Sequence, residues 1–101
     1  MKLAILIYGL QSDPNMNKIL EQIQCQLNKI GNGVVDIVYR INDDESIEQK
    51  REWLLSQTEC KKYVFVTTDS VLEENFIILR HISVKLRKPT AELIELGIYS
   101  K

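Results

Sequence analysis

The chain has 101 residues, 45% of them hydrophobic and 27% charged. That balance supports one globular domain over residues 1–101 and excludes an intrinsically disordered chain. A formal net charge of −1 supplies no overall field for nucleic acid or an anionic lipid surface, so neither is an expected partner.

Residues 2–8 are apolar nearly throughout and predict a first strand buried on both faces. The run is too short for a membrane span, and no small-residue cleavage site follows it. Asp13-Pro14 then predicts a helix entry, with Asp13 as N-cap and Pro14 in the first helical position. Met16, Ile19, Leu20, Ile23, Leu27 and Ile30 recur at helical spacing, and Gly31-Asn32-Gly33 ends that helix. Residues 34–41 predict a second strand and residues 42–45 an acidic loop. Ser46-x-x-Gln49 fits a capping box opening a second helix to about residue 58, with Ile47, Leu54 and Leu55 inside and Trp53 near the edge.

Tyr63, Val64, Phe65 and Val66 make a third strand of β-branched and aromatic residues, suited to a central position. Ser70-x-x-Glu73 repeats the capping-box pattern before a long helix to about Arg87, whose expected inner face is Leu72, Phe76, Leu79, Ile82 and Leu86. Lys88-Pro89 stops it. Lys85, Arg87 and Lys88 suit the negative end of that helix better than a nucleic-acid site. The tail over residues 90–99 is readable as strand or short helix, and a strand is expected. Cys25 and Cys60 are too few and too far apart for a disulfide framework or a zinc site, so reduced thiols and a cytoplasmic location follow. His81 has no Ser or Cys at triad spacing. Residues 9–12 lack both the dinucleotide glycine pattern and a P-loop.

The order of elements predicts an α/β, three-layer, Rossmann-like domain with a mostly parallel sheet, strand order 2-1-3 plus a C-terminal strand. Its polar loops, Gln11 to Asp13, Asn42 to Glu45 and Thr67 to Ser70, then gather at the carboxyl edge, where ligands of open α/β sheets bind.

That succession of motifs resembles the nucleotide-binding half of GT-A-fold glycosyltransferases of the family 2-like group, over about residues 2–87. Asp43-Asp44-Glu45-Ser46 resembles the family's Asp-Asp-Gly-Ser element after the second strand. Lys50-Arg51-Glu52 matches its Ala-Arg-Asn element in part. The stretch from Lys61 to Ser70 aligns without gaps with the strand that ends in Asp-x-Asp-Asp. The resemblance implies that Asp43 or Asp44 contacts the base and that Arg51 lies near the nucleotide. It also implies that Asp69 holds Mn2+ or Mg2+ on the diphosphate of a nucleoside diphosphate sugar. Thr67 replaces the first Asp of that motif, Ser70 its last acidic residue and Glu52 the Asn after Arg51. Asp69 and Ser70 also read as helix caps, and Asp43-Asp44 as an electrostatic lead into the next helix.

In complete enzymes of the family a second half binds the acceptor and supplies the base, and this chain stops about where it would begin. A glycosyltransferase-like domain without transferase activity of its own, serving as a binding or structural module, is therefore expected. The alternatives are a minimal nucleotide-sugar binder, or part of an enzyme completed by another chain, and an unrelated α/β adaptor or viral structural protein. Exposed sheet edges predict a homo-oligomer or a protein partner.

Overall fold

Residues 3 to 7 have no exposed surface, and the strand they begin, β1 (Leu3–Gly9), is the axis of the molecule. The structure, a computed structural model, describes residues 2–101. After β1 come α1 (Met16–Ile30), β2 (Asp36–Ile41), α2 (Ile47–Ser56), β3 (Lys62–Val66), α3 (Phe76–Lys85), α4 (Thr90–Glu95) and β4 (Ile98–Ser100). The sheet order is β2-β1-β3-β4, parallel except for β4, which runs antiparallel to β3. Mostly parallel strands with helices between them make an α/β fold compatible with the Rossmann-like class.

Alternation along β1 divides the core. Leu3, Ile5 and Ile7 face α1 and α3, with Ile19, Ile23, Ile77 and Val84 packed over them. Ala4 and Leu6 face α2 and meet Leu54, with Trp53, Tyr63 and Phe65 at the margin. A central strand buried on both sides needs an apolar residue at every position, which is why residues 3–7 show no polar interruption.

Several expected details are corrected. Asp13 does not cap α1: its carboxylate accepts from Asn15 N–H at 2.9 Å and its carbonyl from Met16 N–H at 3.1 Å, closing a turn ahead of the helix. The Ser70 pattern is not a helix cap either. Ser70 Oγ accepts from Thr67 N–H at 2.9 Å, back toward β3, and α3 starts only at Phe76. What organises that start is Gln26 of α1, whose amide accepts from Ile77 N–H at 2.8 Å and donates to Glu73 O at 2.7 Å. In the tail, residues 90–95 form α4, and only 98–100 pair with β3. Gly97, at φ 75°, makes the left-handed turn between them.

The face of α3 turned to the core is Phe76, Ile77, Arg80, Ser83 and Val84, whereas Leu79, Ile82 and Leu86 face outward. Arg80 is tolerated inside because its guanidinium donates to Leu96 O at 2.9 Å and Phe76 O at 3.2 Å and lies 3.8 Å over the Phe76 ring. Burial pulls its pKa below the ordinary arginine value. In α2 the buried positions are Lys50 and Leu54; Ile47, expected inside, is mostly exposed.

Candidate functional site

The carboxyl ends of β1 and β3 and the amino end of α2 enclose a cleft of about 400 Å3, lined by Tyr8 and Gly9, by Asp13, by Glu45 to Ile47 and Lys50, and by Thr67 to Asp69. Each wall has a local cause. β1 delivers Gly9 without a side chain, so Met16 can pack close behind it. Thr67 and Thr68 enter the turn that Ser70 closes. On the third side Ser46 caps α2 reciprocally with Gln49, as its capping box predicts: Ser46 Oγ accepts from Gln49 N–H at 3.2 Å and Gln49 Oε1 accepts from Ser46 N–H at 2.9 Å. The positive end of the α2 dipole therefore opens on the cleft.

Lys50 is the cleft residue that the sequence alone does not single out. It is only 2% exposed, yet it lines the cleft, and its ammonium donates to Gly9 O at 2.9 Å and Asn42 O at 2.6 Å. These carbonyls are at the ends of β1 and β2, where the strand ladder runs out. An ammonium has three donors, so one N–H remains after both carbonyls are served. The clue in the sequence is spacing: Lys50 lies four residues before Leu54, on the inward stripe of α2.

Around Lys50 the charges are ordered. Arg40 grips Glu45 with two hydrogen bonds, Nε to Oε1 at 2.7 Å and Nη2 to Oε2 at 3.2 Å, and Asn42 Nδ2 adds a third at 2.8 Å. Arg40 first, then Asn42, pull the Glu45 carboxyl from its ordinary 4.5 down to about 2. Arg40 is itself fixed against the Trp53 ring at 4.4 Å.

The residues singled out from the sequence are dispersed. Asp69 lines the cleft and is exposed. Asp43 leaves the neighbouring end of β2, but its Oδ1 accepts from Ser12 N–H at 3.1 Å and Ser12 Oγ–H at 3.0 Å, tying two loops together outside the cleft lining. Asp44 points to solvent, with only its N–H engaged, by Asn42 Oδ1 at 3.2 Å. Arg51 lies over Phe65 at 4.4 Å and Tyr8 at 5.8 Å and lines a separate shallow depression of about 310 Å3. All four residues belong to the carboxyl-edge region or the α2 flank, but only Asp69 shares the cleft with Lys50.

This donor set suits a resident divalent cation poorly. A hard cation needs several oxygens, and among the described residues no group of three His, Cys, Asp or Glu side chains gathers at one point. Glu45 is engaged by Arg40, Asp13 accepts from Asn15, and Lys50 brings positive charge into the same space.

At the opposite edge of the sheet Asp36 accepts from Cys60 Sγ–H at 3.2 Å and Thr58 Oγ1–H at 3.1 Å, with Lys2 at 3.5 Å. The Cys60 bond leads in holding the Asp36 carboxyl below its ordinary range, while burial pushes the Cys60 thiol up. A thiol held protonated is a poor nucleophile, so this cluster is a structural tie.

No family model, curated protein or solved structure matches the chain. Among the described residues no helix is long and apolar enough to cross a membrane.

Proposed function

We propose that the chain is a GT-A-like binding module without transferase activity of its own. Its ligand is the phosphate portion of a nucleoside diphosphate or nucleoside diphosphate sugar, held in the cleft at the ends of β1 and β3. The observation that carries this is Lys50, a buried lysine that lines the cleft and spends two of its three N–H donors on Gly9 O and Asn42 O, beside the amino end of α2. Phosphate oxygens answer both features, as strong acceptors and as charge at a helix N-terminus. Thr67 and Thr68 add hydroxyl donors along the same wall.

In this arrangement Lys50 supplies the positive charge that a metal supplies elsewhere, so binding proceeds without Mn2+ or Mg2+. Transfer needs a base within hydrogen-bond reach of an acceptor hydroxyl. Of the three cleft carboxylates, Glu45 and Asp13 are engaged in internal hydrogen bonds and Asp69 is exposed at the rim, and Thr67 stands where the resemblance calls for an acid. These features favour binding over catalysis.

Calorimetric titration with uridine and guanosine diphosphates, with and without Mn2+, tests the proposal. The expected result is metal-independent binding that falls at least about 30-fold in Lys50→Met, the equivalent of losing one charge-assisted hydrogen bond. Absence of heat with either nucleotide, or equal binding by the variant, overturns it.

A further inference from the structure

Leu79, Ile82 and Leu86 are 47%, 43% and 67% exposed, at a spacing that lines one side of α3. The opposite side of the same helix is buried against the sheet and α1 through Phe76, Ile77 and Val84. A helix apolar on both sides belongs between two partners, and here only one is present in the fold.

We propose that a second copy of this chain covers the outer face of α3, the two α3 helices packing antiparallel about a two-fold axis. The occupant follows from the charges at the ends of the stripe. Glu73 and Glu74 precede α3, while Lys85 closes it and Arg87 and Lys88 follow. An antiparallel pair crossing between Leu79 and Ile82 sets Leu79 of each copy against Ile82 of the other. The same crossing brings Arg87 and Lys88 toward Glu74 and Glu73 of the second copy. The pattern is therefore self-complementary, as an isologous interface requires, and the helix dipoles oppose favourably as well. A parallel pair would set like charge on like.

The intrachain pairs of these acids leave them available. Glu74 meets Lys29 at 3.3 Å and Glu73 meets Arg80 at 4.0 Å, with both carboxylates more than half exposed. Arg87 adopts the left-handed conformation, φ 55°, at a helix end where glycine is the usual residue. Arginine at that position keeps a cation at the end of the stripe. This inference is independent of the nucleotide proposal, because α3 contributes no residue to the cleft lining.

Sedimentation equilibrium on the full chain decides it. The wild type is expected at twice 11.7 kDa at protein concentrations of about 100 μM. Ile82→Glu, with unchanged circular dichroism, raises the dimer dissociation constant at least about 100-fold. Glu73→Lys with Glu74→Lys weakens the dimer about 10-fold, and adding Arg87→Glu and Lys88→Glu restores it. A wild-type monomer at that concentration overturns the proposal. So does a dimer that survives Ile82→Glu but is broken by Tyr39→Glu on the β2 edge, and failure of the charge swap to restore association overturns the antiparallel arrangement.

Discussion

Lys50→Met separates a residue kept for a ligand from one kept for stability. The substitution preserves the length and most of the volume of the side chain while removing its charge. Two hydrogen bonds from a cation to main-chain carbonyls are lost, together about 3–6 kcal/mol. Against this, the desolvation of a buried ammonium, an effective penalty of several kcal/mol, is relieved. Gly9 O retains a partner, because Asn42 N–H also donates to it at 3.3 Å. Asn42 O is left without the Lys50 donor, so Lys50→Met is expected to lose about 1–2 kcal/mol, a melting shift of about 4–16 °C for a domain of this size. Nucleotide binding, by contrast, falls about 30-fold or more. Urea denaturation and calorimetric titration on the same two proteins give both quantities. A loss of more than about 3 kcal/mol with binding unchanged would refute the reasoning, because Lys50 would then be a pin for the strand ends and nothing more.

Other consequences follow from individual contacts. Because the Glu45 carboxyl is held at about 2, its contribution is complete above the ordinary 4.5 and is lost as pH falls from there toward 2. Glu45→Gln should flatten the stability profile across that interval, measured by melting at stepped pH, and an unchanged slope counts against the Arg40 pairing. Cys25 is exposed on α1, whereas the Cys60 thiol is partly buried and held protonated, so maleimide at neutral pH should label Cys25 first and Cys60 only on unfolding. Mass spectrometry of the labelled peptides reads the order. Gln26→Leu leaves Ile77 N–H and Glu73 O without their side-chain partner and should destabilise the fold by about 2–4 kcal/mol in urea titration. Retention of full stability would mean that α3 starts without help from α1.

The strands were legible as apolar runs, buried on both faces in β1 and β-branched and aromatic in β3, and their order followed from the alternation of strands with helices. α1 was legible from one clean amphipathic stripe, and α2 from a capping box formed as expected. The identical pattern at Ser70 misled because a Ser-x-x-Glu spacing does not say in which direction the hydroxyl will bond. At Ser46 Oγ takes the N–H ahead of it, whereas at Ser70 it takes Thr67 N–H behind it. The site was half legible. A cleft opens at the carboxyl edge where the strand order leads one to look and Asp69 lines it, but Lys50 was hidden because an isolated lysine in a helix reads as a solvated residue. Only the carbonyls at the ends of β1 and β2, eight and forty-one residues away, make its burial favourable.

α3 shows why periodicity alone could not settle the inner face. Leu72, Phe76, Leu79, Ile82 and Leu86 satisfy a helical repeat, but so do Phe76, Ile77, Arg80 and Val84, which are the residues turned inward. Hydrophobicity favours the first set and polar satisfaction selects the second. Gln26 reaches from α1 to the start of the helix, and Arg80 reaches from α3 to the carbonyl that ends α4. Both contacts demand a particular rotation of α3 about its axis, and a quarter-turn or more would leave a buried guanidinium and several main-chain groups unpaired. Leu79, Ile82 and Leu86 are thereby directed outward while Phe76 stays in the core, and burying the three requires a surface that the described residues do not supply. The same two polar ties that fix α3 in the monomer thus create the unmet apolar face on which the proposed dimer depends.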